Sequence, residues 1–387
     1  MVFVCIFTNT IQASNPKPKK NISFTTDDSS FQINFRFRMQ NRAGVNTISE
    51  KDLSTRDWEM RVRRLRLRMD GFVVDPRLTY YIQLSFTRGD MDWSDAEASK
   101  INVAPNPVRD AMVYFKPNKN LTFGFGQGKL PGNRQRVISS GEQQFVDRSI
   151  VNATLTLDRD FGFFTTYELP VKKSVVIAKA AISQGEGRQN VVSNNFGLAY
   201  TGRLEFLPFG QFTNKGDYFE GDLEREKKPK LSIAGGYSFN DHAARTGGQL
   251  GKDLPKAYNI NSILADFVFK YRGIAISSEY IQRESNQPFI PSSFSGNYIY
   301  TGFGLNHQLS YCFKSFWELA ARYSTLQADV NTQYKAQKQD EIWLGVTKYL
   351  NKHRTKLQFN VIYADKRVIY STPSKNFSAF FQIELGI

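Results

Sequence analysis

Apolar and polar residues take turns along this chain in steps of two. From 31 to 40, Phe31, Ile33, Phe35, Phe37 and Met39 share one face while Gln32, Asn34, Arg36, Arg38 and Gln40 share the other, the alternation of a half-buried strand. From 58 to 74, Arg64, Arg66 and Arg68 alternate with Leu65, Leu67 and Met69. As a helix, the five arginines at 61, 63, 64, 66 and 68 would scatter round the circumference and leave no apolar stripe. The same period of two recurs at 77–87, 108–115, 121–129, 161–169, 175–183, 196–207, 230–239 and 260–271. It continues at 274–283, 298–310, 316–326, 341–349, 356–364 and 377–387. The pattern predicts about sixteen strands, an even number as a closed antiparallel barrel requires.

The connections alternate in length. Those at 75–76, near Asn118, at 170–173, at 272–273, near Phe313 and near Asn351 are short, whereas 41–57, 88–107, 130–160, 184–195, 241–259 and 285–296 are long and polar. Short turns on one rim and long loops on the other are expected of an outer-membrane barrel, with periplasmic and external rims respectively. The connection 208–229 falls among the short ones and is long. A soluble sandwich would also alternate, but it must hide both apolar faces against each other and seldom reaches so many strands.

Composition narrows the choice. The chain has 387 residues, 32 Phe and 18 Tyr, yet its mean hydropathy is −0.43. Polar on average but crowded with aromatics, it suits strands with one aromatic face and one wet face. No window holds the ~18 consecutive apolar residues of a spanning helix, so a membrane crossing would be made by a closed barrel. The expected fold is an all-β transmembrane antiparallel barrel over residues 31–387. The stretch 1–13 reads as the remnant of a signal peptide with a small-residue exit at Ala13-Ser14, and 14–30 as a polar periplasmic tail.

The net charge of +15 implies an anionic partner. Nucleic acid would suit it, but no nucleic-acid-binding motif is present and a secreted barrel does not meet nucleic acid. Cys5 and Cys312 are the only cysteines, and His242, His307 and His353 the only histidines. None of the histidines has another His or Cys at metal spacing, and none is followed two residues on by Ser, as a barrel lipase would require. Neither a cofactor nor an enzymatic reaction is expected.

If the apolar residues of the first strands face lipid, Arg36, Arg38, Arg64, Arg66 and Arg68 face the lumen, because an Arg near the bilayer midplane costs roughly 2 to 4 kcal/mol. Rungs of arginine inside a pore select anions, and the guanidinium fork matches oxyanions bidentately. The alternative is that these arginines pair with lumen carboxylates such as Asp70 and Asp110 and brace the wall. Gly124, Gly126 and Gly128 are read as small lumen-facing residues that leave room for an inward loop.

Gly126 to Pro131 reads G-Q-G-K-L-P, Asp147 to Ser149 reads D-R-S, the second strand runs through Met69-Asp70-Gly71, and Gly202 to Phe206 reads G-R-L-E-F. In these motifs the chain resembles the phosphate-selective porin O/P family, over nearly its whole length. The resemblance implies a trimeric barrel of the Gram-negative outer membrane whose third loop folds into the lumen and narrows an anion pathway. It places Lys129 at the constriction and Arg148 in the loop, with Arg134 and Arg136 lining or flanking the same region. Gly132 departs from the family, which commonly carries an aromatic there.

The partners this implies are small phosphate-like anions, outer-membrane lipid and further copies of the chain. The rival expectation is a non-conducting barrel acting as a structural subunit of an outer-membrane complex, docking envelope partners through 208–229.

Overall fold

The computed structural model describes residues 22–87, 107–188, 197–288, 298–333, 338–367 and 372–387. The expected signal segment at 1–13 and most of the expected loop at 88–107 lie outside the described residues. The strands are β1 (Ile22–Thr25), β2 (Phe31–Thr47), β3 (Thr55–Val73), β4 (Asp75–Ser85), β5 (Val108–Phe115) and β6 (Leu121–Lys129). They continue with β7 (Arg159–Val171), β8 (Ser174–Ser183), β9 (Ala199–Leu207), β10 (Lys230–Arg245), β11 (Asp253–Tyr271) and β12 (Ile274–Ser285). The last five are β13 (Gly302–Cys312), β14 (Trp317–Ala328), β15 (Lys338–Asn351), β16 (Thr355–Arg367) and β17 (Ser374–Gly386).

Consecutive strands pair antiparallel, and β17 returns to β2, from Ser378 opposite Asn46 to Gly386 opposite Arg38. Seventeen strands form one sheet, of which β2 to β17 are the closed ring of sixteen. The extra strand, β1, lies within the segment expected as a polar tail and pairs with β2 at Ile22 opposite Phe35. Closure matters because a sheet edge in hydrocarbon would leave backbone donors and acceptors unpaired.

The alternation sorts side chains as the sequence implies. Phe163, Leu204 and Leu344 point outward, while Ser232, Glu318, Lys356, Asn360 and Glu384 are buried on the lumen side. Two hairpins are longer than expected: β2 and β3 pair through 41–57 as far as Thr47 opposite Thr55, and β10 and β11 pair at Ala243 opposite Tyr258. Outside the hydrocarbon both faces of a strand meet water, so the ladder continues where the apolar period fades.

The connection from β6 to β7, the third on the long-loop rim, folds into the lumen as the resemblance implied. It carries two short helices, α1 (Arg134–Val137) and α2 (Ile150–Leu155), the latter capped by the Ser149 hydroxyl, which accepts from the Asn152 N–H at 3.2 Å. Leu130, Val151, Leu155 and Leu157 pack with Leu264, Ile281 and Leu326 of the wall. Phe145 and Val146 pack with Ala320, Trp343 and Ile362.

The glycines that make room for this loop differ from those expected. A Cβ on Gly304 would lie 2.7 Å from Val151, and one on Gly345 would lie 2.9 Å from Phe145. Gly124, Gly126 and Gly128 instead face Tyr114, Ala111 and Met112 of the neighbouring strand.

A second insertion enters from the opposite rim. On the rival expectation residues 208–229 offer a surface to envelope partners; in the structure the segment folds inward. Phe212 packs with Val175, Ile177, Leu207 and Val268, and Asp217, Glu220, Asp222 and Glu226 are buried. Its carboxylates and carbonyls find partners inside: Lys270 donates to the carbonyls of Gly216 at 2.7 Å and Phe219 at 2.9 Å, and Asp222 accepts from the Gly273 N–H at 2.7 Å.

Leu204 stands 61% exposed on the outer face of β9. Leu204→Arg should lower barrel stability by roughly 2 to 4 kcal/mol in refolding titrations into lipid vesicles. Leu204→Phe should leave it within about 0.5 kcal/mol, as a surface change that keeps the outer face apolar.

Candidate functional site

The register of β2 against β3 sets Arg36 opposite Arg68, Arg38 opposite Arg66 and Gln40 opposite Arg64. Like charges directly opposite on one face destabilise a sheet, so these rows need counter-charge. Asp70 and Glu384 supply part of it. Asp70 lies 2.8 Å from Arg68 Nε and 3.8 Å from Arg36 Nε. Glu384 lies 3.6 Å from Arg38 Nε and 3.4 Å from Lys356 Nζ, and it also accepts from Gln40 at 2.9 Å. Arg68 further stacks its guanidinium 4.6 Å over the Tyr81 ring.

Further partners come from the inward loop. The Ser140 hydroxyl accepts from Arg38 at 2.7 Å and from Arg66 at 3.0 Å, and the Ser139 hydroxyl accepts from Arg38 at 3.3 Å. Gly141 permits this approach, since a Cβ there would overlap the Arg38 guanidinium at 2.0 Å. Arg36, Arg38, Arg66 and Arg68 line one cavity on the short-turn side of the loop, with Gln83, Ser139, Glu142, His353, Arg354 and Glu384.

Further along the same wall the loop is anchored through Asp147. Its carboxylate accepts from Arg63 at 2.9 Å, from Arg64 at 3.0 Å and from Arg42. Burial alone would raise its pKa, but Arg63, Arg64 and Arg42 hold it well below the usual carboxylate range. Arg322 adds a second anchor: it donates to the Asp147 carbonyl at 2.9 Å and sits 4.2 Å over the Phe145 ring and 5.0 Å over Trp343.

The other expected residues serve the loop's own architecture. Lys129 Nζ donates to the Val137 carbonyl at 2.8 Å, and Arg148 donates to the carbonyls of Gln135 at 2.8 Å and Ile138 at 2.9 Å. Both cations therefore sit at the carbonyl end of α1, where positive charge is favoured. Arg134 is buried against Asp266 at 2.9 Å and Ser232 at 3.0 Å, and Arg136 donates to Asp158 at 2.6 Å.

Burial, then the like charges of Arg136, Arg64 and Arg159, lowers the proton affinity of Arg148 well below its ordinary value. Of the nine expected residues, four converge on one cavity, Arg64 ties the loop to the wall, and Lys129, Arg134, Arg136 and Arg148 are bonded around the loop.

Sequence reasoning missed Arg42, Arg63, Arg322, Ser139 and Ser140. Arg42 was within reach, since it continues the lumen face two residues past Gln40.

The two insertions meet in the lumen. Glu220 donates its N–H to the Glu142 carbonyl at 2.9 Å, and its carboxylate accepts from the Gln144 N–H at 2.9 Å and the Gln135 amide at 3.4 Å. Replacing 213–226 by a short turn should increase the single-channel conductance, because it removes a wall of the lumen; an unchanged step size would count against this placement.

For Asp147 the sign of the pH effect follows from a lowered pKa: its contribution is full above the unfolded value of about 3.9 and is lost as pH falls below it. The share of channel noise that the Asp147 anchor suppresses should therefore stay level from pH 7 to about 4. Asp147→Asn should raise the noise throughout that range.

The family model for the phosphate-selective porins O and P matches residues 33–380. A relative of similar length is an uncharacterized protein of Aquifex aeolicus (strain VF5), 22% identical over 356 residues, with 87% of this chain and 83% of that protein covered. Among solved structures, the outer membrane channel DcaP of Acinetobacter baumannii aligns with a TM-score of 0.60 at 12% identity, covering 94% of this chain and 99% of that one. The Salmonella typhi OmpF complex with daunomycin gives 0.55 at 13%, covering 94% and 100%. OmpT of Vibrio cholerae in its trimer form gives 0.54 at 13%, covering 92% and 99%. At these identities the structures establish the fold alone, a closed antiparallel β-barrel. The match over 33–380 establishes the family: the chain belongs to the phosphate-selective porins O and P.

Proposed function

We propose that the barrel passes small anions, phosphate or a similar oxyanion, along the β2–β3 wall. The observation that supports this most is the pair of facing rows, Arg36 with Arg68 and Arg38 with Arg66, in which Asp70 serves both Arg36 and Arg68 and Glu384 lies beside Arg38. Glu384 is further divided with Lys356. An anion entering this cavity exchanges its hydration shell for guanidinium N–H groups and the hydroxyls of Ser139 and Ser140, and no bond is made or broken.

Bidentate geometry favours a tetrahedral oxyanion over chloride. In this reading Arg64 holds the loop against the wall. Lys129, Arg134, Arg136 and Arg148 shape the constriction and supply its positive field. Conduction is passive, and the working form is a homotrimer, which chemical cross-linking in native membranes would reveal as a band of three subunits.

The test is the reversal potential of single channels in planar bilayers under a salt gradient, with and without phosphate. Neither Arg36 nor Arg68 bonds the inward loop, so Arg36→Gln combined with Arg68→Gln removes charge without undocking it. The double variant should lose several-fold in anion over cation permeability and in block by phosphate. Unchanged selectivity would overturn the proposal.

The non-conducting barrel has one observation in its favour, the junction of both insertions at Glu220. It requires that wild type carry no current and that deleting 213–226 open one.

A further inference from the structure

Across the ring from the β2–β3 wall stands a cation with no carboxylate partner among the described residues. Arg283, on the lumen face of β12, is 2% exposed. It donates to the carbonyls of Thr154 at 3.1 Å and Thr156 at 3.4 Å, both at the end of the inward loop. Its Nε is buried with no hydrogen-bond partner. Among the described residues Arg283 makes no ion pair with a carboxylate, so two carbonyls answer a group with five N–H donors. A buried charge left this way is costly unless something anionic joins it.

Beside this guanidinium a cavity opens on the long-loop side, with Thr246, Leu250 and Lys252 from the β10–β11 hairpin on one flank and Tyr298 and Tyr300 on the other. Tyr300 is packed into the apolar cluster that holds the inward loop, and Tyr298 lies against it. The site is thus cationic at its base, with Leu250 and the rings of Tyr298 and Tyr300 among the hydroxyls of Thr154, Thr156 and Thr246 along its sides.

We propose that this cavity binds an organic carboxylate, its anionic head on Arg283 with Lys252 nearby and its ring or short apolar body against Leu250 and Tyr298. Inorganic anions lack the body that such walls accommodate. The site stands apart from the Arg36–Arg68 rows, on the other arc of the barrel and on the other side of the inward loop.

The test is equilibrium binding to the purified full chain in detergent micelles, by titration calorimetry and saturation-transfer NMR, with benzoate compared against acetate. Benzoate should bind saturably and acetate at least about tenfold more weakly. Arg283→Gln should lose benzoate binding at least about tenfold. Because Arg283 also holds the loop carbonyls, Leu250→Glu provides the independent variant: it brings a carboxylate to the cavity from the hairpin and should abolish binding.

Equal binding of acetate, or benzoate binding that survives either substitution, would overturn the proposal. Binding is read without current, so its outcome is separate from that of the anion pathway. Arg36→Gln with Arg68→Gln should bind benzoate as wild type does; a loss there would mean that benzoate occupies the β2–β3 wall and would overturn the assignment to Arg283.

Discussion

In hydrocarbon every peptide N–H and C=O must find its partner within the protein, each failure costing several kcal/mol, and the rest of this molecule follows from that requirement. It forces the sheet to close at β17 on β2. Closure gives the apolar half of each strand to lipid and leaves the polar half no place but the lumen. The interior is therefore where this protein's charges meet, and its architecture is largely an arrangement for accommodating them.

Two inserted segments do that work. Truncating one partner of a buried ion pair costs about 3 to 5 kcal/mol, against roughly 0 to 1 for an exposed pair. Asp147, half-buried with Arg42, Arg63 and Arg64 around it, lies between these limits and outweighs a surface bridge such as Arg77 with Asp75. The Asp147 anchor and the stacking of Arg322 between Phe145 and Trp343 fix where the loop lies. The loop position in turn decides which arginines keep spare capacity. Ser139 and Ser140 offer Arg38 and Arg66 hydroxyls, and Glu142 of the same loop lines their cavity, so the loop meets the β2–β3 rows with hydroxyls and a carboxylate.

The ring and the inward direction of Arg36, Arg38, Arg64, Arg66 and Arg68 were legible in the sequence, because lipid imposes a period of two and penalises an outward arginine. What those arginines bind was not. Ser140 lies 102 residues from Arg38 and 74 from Arg66, and no local pattern records such a pairing. Residues 208–229 were misread for a different reason: a run of Asp, Glu and Lys ordinarily signals a solvated surface. Inside a barrel that rule reverses, since Lys270 and the backbone of Gly273 wait in the interior for those carbonyls and carboxylates. β1 escaped notice because four residues in a polar stretch carry too few alternations to register.

The short strand β1 also gives the ring a seam. Gly386 stands opposite Arg38, the Ile387 N–H donates to the Phe37 carbonyl at 3.0 Å, and Ile22 stands opposite Phe35. Along the edge of β2 only the place opposite Arg36 separates the last strand from the first, and both run in the same direction. β17 and β1 are thus two pieces of a single interrupted strand. A chain opened at one of the short turns and rejoined from Ile387 to Ile22 through one bridging residue would keep every register, turning the seam into continuous backbone and moving the break to the new turn.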